Sequence, residues 1–345
     1  MLADEVDFVI GVDTHAHSHA LALVETRTQR NRRSLSIPAT RSGYRQALRL
    51  ARRQAAGRRA WALEGTGSYG AGLARFLDAR GERVLEVERP HREGRGGRLK
   101  SDPLDAERAA RQLLSGAVGA RPRLTPSTQA LRALLVCRES AVDERTAALN
   151  RLRALLLTCP PELRERLQGR SPRALVETCA RLRGGADPER AALCLALRSL
   201  ARRIERLRAE AEELEGELAR RVHAIAPQLL ARRGVGPVCA AWLLVSWSEP
   251  GRLRSEAAFA RLAGVAPIPA SSGKVVRHRL DRGGDRRLNR ALHTIVVCRR
   301  RLDPETKVYI ARRVAEGKSE REAMRCLKRY LARSLFRVLE AMPRG

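Results

Sequence analysis

Apolar residues open the chain in short runs. Phe8-Val9-Ile10-Gly11-Val12-Asp13 is the first, and it ends in an acid. His19 to Thr26, with Ala-Leu-Ala-Leu-Val-Glu in its middle, reads as a second strand, and Ser34 to Ile37 as a third. Their close succession predicts an antiparallel meander at the edge of a sheet. Ser42 to Ala56 then places Tyr44, Ala47, Leu48 and Ala51 at helical spacing, and Gly57 ends it. Ala60-Trp61-Ala62-Leu63-Glu64 is another apolar run ending in an acid. Tyr69 to Arg80 reads as a helix, Arg83 to Val87 as a strand, and a further helix begins near Asp102. The succession β-β-β-α-β-α-β-α belongs to the ribonuclease-H-like class of α/β folds. In that class the first and fourth strands lie side by side at the sheet centre.

The period changes after residue 125. Ser127 to Cys159 reads as one long helix, stopped by Pro160-Pro161. Residues 160–190 read as irregular, with Gly184-Gly185 and Asp187-Pro188 as breakers. Leu193, Leu197, Leu200, Ile204, Leu207, Ala211, Leu214 and Leu218 alternate spacings of three and four, which is a heptad seam. A coiled-coil dimer stalk is the favoured reading; an intramolecular hairpin against the preceding long helix is the alternative. Around Gly234-Val235-Gly236-Pro237 the spacing is that of a helix-hairpin-helix, in which glycines let backbone N–H groups approach a phosphate. Ala257 to Leu262 predicts a short helix, Ala266 to Lys274 an exposed loop, Arg286 to about Leu302 a helix, and Glu316 to Leu339 a final basic helix or helix pair. Three domains are expected: 1–125 α/β, 126–224 long-helix linker, and 225–345 mostly α.

Charge sharpens the picture. The 345 residues carry 68 Lys and Arg against 38 Asp and Glu, a net charge of +30, which implies a polyanionic partner. The candidate contacts are Arg95, Arg98 and Lys100 in a basic, glycine-rich run, Gly234 and Gly236, and Lys274, Arg277, Arg279 and Arg286. Aromatic residues are only 3% of the chain, so stacking of bases on rings is not the main binding mode. The seven cysteines form no C-x-x-C pair, which argues against a zinc site and for a reducing compartment. With no signal segment and no membrane-spanning run, a cytoplasmic protein associated with the nucleoid is expected.

The chemistry is expected from acids. Asp13 and Glu64 end two apolar runs, and Asp102 and Asp105 sit three apart at a helix start, so they project from one face. In the ribonuclease-H-like order all four converge, and such a cluster suits a hard cation such as Mg²⁺ or Mn²⁺. His15, His17 and His19 alternate; solvated or turn-adjacent roles are favoured, with His15 nearest the acids.

Gly11-Val12-Asp13-Thr14-His15, Leu63-Glu64-Gly65-Thr66-Gly67-x-Tyr69 and Lys100-x-Asp102-x-x-Asp105-Ala106 together carry a resemblance. So do Gly234-Val-Gly-Pro, Phe259-Ala-x-Leu-Ala-Gly264-Val-x-Pro267, Ser272-Gly273 and Gly284-x-x-x-Leu288-x-Arg290-x-Leu292. The chain resembles, nearly end to end, the DEDD transposases of bacterial insertion sequences, the IS one-hundred-ten family. The resemblance implies a RuvC-like first domain and a C-terminal domain with a nucleophilic serine. By motif position that residue is Ser272, with Ser271 beside it. It also implies a covalent serine–DNA intermediate, donor and target DNA as substrates, a structured bridge RNA as guide, and a dimer or tetramer. Two other readings stand beside it: a RuvC-like endonuclease using water, and a non-catalytic nucleic-acid-binding scaffold.

Overall fold

A computed structural model describes residues 2–87, 102–115, 120–123, 125–269, 278–279 and 283–342. The chain divides into two compact units, Met1–Thr128 with Ser248–Arg254, and Gln129–Trp247 with Ser255–Gly345.

The first unit runs α1 (Leu2–Glu5), β1 (Phe8–Thr14), β2 (Ser18–Glu25), β3 (Asn31–Pro38), α2 (Arg41–Gln54), β4 (Arg59–Glu64), α3 (Ala71–Asp78), β5 (Arg83–Val87) and α4 (Asp102–Leu114). The five strands form one sheet in the order β3-β2-β1-β4-β5. The first three are antiparallel neighbours, and β4 and β5 run parallel to β1. The meander is found, and the first and fourth strands are central neighbours. This is a mixed α/β arrangement compatible with the ribonuclease-H-like expectation.

Side chains alternate across such a sheet, so each strand serves two cores. Ile10, Val12, Trp61 and Leu63 pack with Ala47, Leu48, Leu73 and Leu77 of α2 and α3. Val9, Ala60 and Ala62 face the other way and pack with Ala109, Ala110 and Leu113 of α4. Gly11 points to this second face, where a Cβ would lie 1.8 Å from the Ala106 carbonyl oxygen. A side chain is excluded there because α4 lies directly on the strand. Both central strands are apolar along most of their length because both faces are covered. The start of β4 is pinned by Glu82, which accepts from Arg59 Nε at 2.7 Å, Arg59 Nη2 at 2.6 Å and Trp61 Nε1 at 3.0 Å. Burial pushes the Glu82 carboxyl up, but these donors outweigh it and hold it below the ordinary glutamate value.

His19 corrects a sequence expectation: it is fully buried, its ring stacked on Tyr44 at 5.8 Å between centroids and 7° between planes. β2 is an inner strand, so His19 has no route to solvent. Burial pulls its pKa below the ordinary histidine value. The unfolded chain therefore takes up a proton that the folded chain refuses, and stability rises with pH through this window. Unfolding in urea should show stability falling below pH ~6.5 by up to about 1.4 kcal/mol per pH unit for this one proton. His19→Phe, which keeps the stack, is expected to remove that part of the slope; an unchanged slope would assign it elsewhere.

The second unit is built from α5 (Pro126–Leu157, whose first residues belong to the first unit), α6 (Pro161–Leu167), α7 (Pro172–Ala180), α8 (Pro188–Ile225), α9 (Pro227–Leu230), α10 (Pro237–Trp247) and α11 (Glu256–Leu262). A two-stranded ribbon follows, β6 (Ile268–Pro269) and β7 (His278–Arg279), then α12 (Arg286–Leu302), α13 (Pro304–Ala315) and α14 (Glu320–Glu340). Residues 160–190 are thus not irregular, since α6 and α7 lie there. Both begin on proline, which costs nothing at a first helical turn.

Alternate positions of the heptad seam, Leu197, Ile204, Ala211 and Leu218, are buried within this chain. Leu197 and Ile204 share a core with Leu152 and Leu156 of α5 and with Leu175 and Val176 of α7. Arg203 reaches Glu144 at 2.9 Å and Arg138 reaches Glu215 at 3.0 Å. Leu197 and Ile204 are thus covered within the chain, by residues of α7 as well as α5. Between α12 and α13, the buried Asp303 accepts from Thr306 Oγ1 at 2.7 Å, Arg299 Nη2 at 2.8 Å and Arg233 Nη1 at 2.9 Å. Those donors, Thr306 foremost, overcome the cost of burial and hold it far below the usual carboxylate range. Among the described residues no helix is long and apolar enough to cross a membrane.

Candidate active site

β1 and β4 pair in parallel as far as Val12 and Leu63. One residue further, Asp13 and Glu64 leave the two strands side by side, at a strand spacing of about 4.8 Å. The Thr14 hydroxyl donates to the Glu64 carbonyl at 3.1 Å and fixes the two strand ends to one another. Asp13 follows Gly11 by two residues and Glu64 follows Ala62 by two. Both carboxylates therefore lie on the face that α4 covers. Each residue is 6% exposed.

The direction of α4 brings its acidic end to this place. Its last turns, Ala110 to Leu114, pack with Val6, Val9 and Val24, near the start of β1. Its earlier residue Ala106 packs over Gly11 and against Ala20 and Ala22 of β2. The helix thus runs against β1, and its opening turn, from Asp102 to Asp105, lies towards the end of the strand that carries Asp13. Asp105 is held by Arg108 at 2.7 Å, and nothing is described of the Asp102 side chain. His15 Nε2 lies 3.0 Å from Asp13 Oδ2.

Two of the four expected acids are therefore neighbours, and a third is turned to a basic partner. Among the described residues no group of three or more such side chains is poised to hold a metal. The donor set itself is suited to a hard divalent cation, being carboxylate oxygens on adjacent strands. Two residues beyond Glu64 in the sequence, Thr66 Oγ1 is buried with no hydrogen-bond partner.

Part of the second set of expected residues falls, in sequence, between the two strands of the ribbon in the second unit. Ile268 pairs with Arg279 and Pro269 with His278. Ser271, Ser272, Lys274 and Arg277 fall between these strands and lie outside the described residues, as do Arg95, Arg98 and Lys100. The described residues flanking this segment are clamped by a set of which sequence reading named Gly284 alone. Gly284 has φ +84°, and a Cβ there would lie 2.5 Å from the Leu262 carbonyl. Asp285 N–H donates to that carbonyl at 2.6 Å. Asn289 Nδ2 donates to Ala263 O at 2.7 Å while its Oδ1 accepts from Lys328 Nζ at 3.0 Å. Gly284 was legible as a motif glycine; Asn289 and Lys328 carried no local signal.

Gly234, at φ +77°, is required by packing, since a Cβ would lie 2.8 Å from Arg299 Cγ and 3.1 Å from Ile295 O. Gly236 has open space around it and precedes α10. Arg286 is exposed at the start of α12.

Two family models match this chain. One, a transposase model named for the DEDD proteins of IS110, matches residues 10–161 and contains all four acids. The other, the transposase family of IS116, IS110 and IS902, matches residues 226–311 and contains the ribbon, Gly284 and Asn289, but not Lys328. The chain belongs to the IS110 family of transposases. It is similar to the insertion element IS110 uncharacterized 43.6 kDa protein of Streptomyces coelicolor, 34% identical over 118 residues. It is also similar to the insertion element IS900 uncharacterized 42 kDa protein of Mycobacterium paratuberculosis, 31% identical over 121 residues. Each alignment covers 34% of this chain and 29% or 30% of the relative, so under a third of either relative is matched. The α14 helix lies beyond both family matches of this IS110-family chain.

Proposed function

We propose that the protein cuts and rejoins DNA strands as the transposase of an insertion sequence, using a serine nucleophile and a carboxylate-held divalent cation. The observation that supports this most is the pairing of Asp13 with Glu64 on the face where α4 opens with Asp102 and Asp105. Asp13 and Glu64, joined by Asp102 and Asp105, would hold Mg²⁺ or Mn²⁺. Such an ion supplies charge stabilisation at a scissile phosphate and its leaving oxygen.

Ser272 then acts as the nucleophile. Its Oγ forms a bond to phosphorus, the phosphorus bond to the strand's sugar oxygen breaks, and the proton lost by the hydroxyl ends on that sugar oxygen. The phosphoester bond is exchanged rather than hydrolysed, so the reverse step rejoins a strand with no added energy source. Asn289 and Lys328 tie α12 to α14 and to the Ala263 carbonyl, on the C-terminal side of the segment in which the serine falls.

Substrate choice is assigned to base pairing by a structured non-coding RNA, with donor and target DNA as partners. This reading rests on the family resemblance and on the net charge of +30. Assembly into a dimer or tetramer belongs to the same proposal, through surfaces other than Leu197 and Ile204, which are buried with α5 and α7.

The test uses labelled DNA carrying the element's end and its flanking non-coding segment, with adducts resolved in denaturing gels. Wild type is expected to form a protein–DNA adduct; Ser272→Ala and Asp102→Ala are expected to form none. An adduct surviving in Ser272→Ala would move the nucleophile elsewhere, with Ser271 the next residue to replace. Strand cleavage by the wild type without any adduct would favour the endonuclease reading.

A further inference from the structure

In the second unit, α5 and the first turns of α12 border an open cavity of about 640 Å³. Val136, Glu139, Ser140 and Asp143 line one side, and Asp285, Arg286, Arg287 and Arg290 the other. Glu139 is the centre of its electrostatics. Arg287 Nε lies 3.1 Å from Glu139 Oε2, and Arg290 Nη1 lies 2.7 Å from Glu139 Oε1. One carboxylate thus occupies two guanidinium groups, an oxygen for each. The Arg287 guanidinium also sits over the Trp242 ring, 5.0 Å from its centroid, which orients it. Arg290 is 63% exposed at its side chain, Arg287 43%, and Glu139 20%. The arginines therefore reach solvent while the carboxylate sits deeper.

The helix end itself is already used. Asp285 accepts from the N–H groups of Arg287 and Leu288 and from the Ser246 hydroxyl at 2.9 Å. What remains available is the arginine face. An arginine fork fits a phosphate as it fits a carboxylate, with two parallel N–H to oxygen bonds. The chain carries an excess of 30 positive charges, yet here a fixed internal acid fills two of them.

We propose that Arg287 and Arg290, with Arg286 beside them, form a nucleic-acid phosphate site that Glu139 occupies in its absence. Glu139 is an internal competitor: a backbone phosphate replaces its carboxylate on the two guanidinium groups. The device weakens binding to arbitrary nucleic acid and leaves the site open to a strand that other contacts hold in place. The proposal rests on nucleic acid being the partner, as the function above requires.

The experiment measures equilibrium binding of the full chain to a short labelled DNA duplex and, separately, to an RNA hairpin, as a function of salt. Glu139→Gln is compared with wild type, with Arg287→Ala/Arg290→Ala, and with all three substitutions together. Each variant is first checked for an unchanged unfolding transition. Glu139→Gln is expected to bind more tightly. For each phosphate contact it gains, that advantage should shrink about three- to fourfold as salt rises from ~50 to ~200 mM. In the arginine-deficient background the glutamine is expected to gain nothing. A gain with only one of the two probes assigns the site to that nucleic acid.

Two results would overturn the proposal: equal affinity of Glu139→Gln and wild type at every salt concentration, or the same gain with and without the arginines, which would make it an effect of net charge alone. Failure of the wild type to bind either probe would instead sink the functional reading.

Discussion

Gly11→Ala is expected to destabilise the first unit by about 3 kcal/mol or more, the upper end of overpacking effects. A methyl group there would lie 1.8 Å from the Ala106 carbonyl oxygen, 2.8 Å from the Ala110 nitrogen and 2.9 Å from the Ala106 carbonyl carbon. All three are backbone atoms, so no rotamer change relieves the contact. Either α4 lifts from the sheet or β1 bends. In a strand that tolerated it, alanine would instead be stabilising by about 0.5–1 kcal/mol. The sign of the change therefore reports whether α4 is seated on β1. Urea unfolding gives the magnitude, and hydrogen exchange of the α4 amides gives the place. Ala106→Gly is expected not to rescue the variant, because the obstruction is the main chain. A change within about 0.5 kcal/mol of wild type would mean that the helix does not lie where it is described. The consequence reaches the site, since the same seating carries Asp102 and Asp105 towards Asp13.

Much of this was legible in the sequence, for identifiable reasons. β1 and β4 are central strands with both faces covered, so each reads as an apolar run, and each run ends in an acid that is itself buried. Asp13 and Glu64 could be named for that reason. The α6 and α7 helices are hidden in the sequence because a proline reads as a stop as readily as a start. Pro161 and Pro172 are starts, and Ser171 caps α7 by accepting from the Ala174 N–H. Pro304 is a start of the same kind, opening α13 after the buried Asp303.

His19 was misplaced because alternation along a strand gives a face and not what covers it. The heptad seam gave a repeat and not its partner, and at Leu197 and Ile204 residues of α5 and α7 share the core within the chain. Long-range charge pairs left no trace at all. Glu139 and Arg287 lie 148 residues apart, and no local pattern predicts that they meet.

Glu64→Gln and Asp13→Asn are each expected to lower strand cleavage by about 10²–10³-fold or more, the usual scale for losing one transition-state stabiliser. The stability of these variants is the more telling readout. Asp13 and Glu64 are like-charged neighbours on adjacent strands, and such a pair costs about 0.2–1 kcal/mol even where water reaches it. Replacing one carboxylate by its amide keeps the shape and removes the repulsion. In buffer without divalent cations the variants should therefore be as stable as wild type or slightly more so. Adding Mg²⁺ should raise the unfolding temperature of wild type, because a ligand that binds only the folded state stabilises it by mass action. That rise should be lost in both variants. A structural acid behaves in the opposite way, since its loss lowers stability and leaves any cation response intact. Both acids have interaction partners, and the one at Asp13 is His15, which the substitution would release. His15→Ala in the wild-type background should leave the Mg²⁺ response in place if the carboxylates are the ligands. If Glu64→Gln lowers stability while Mg²⁺ still stabilises the variant, the acids at the ends of β1 and β4 hold the fold together rather than a cation, and the chemistry lies elsewhere in the chain.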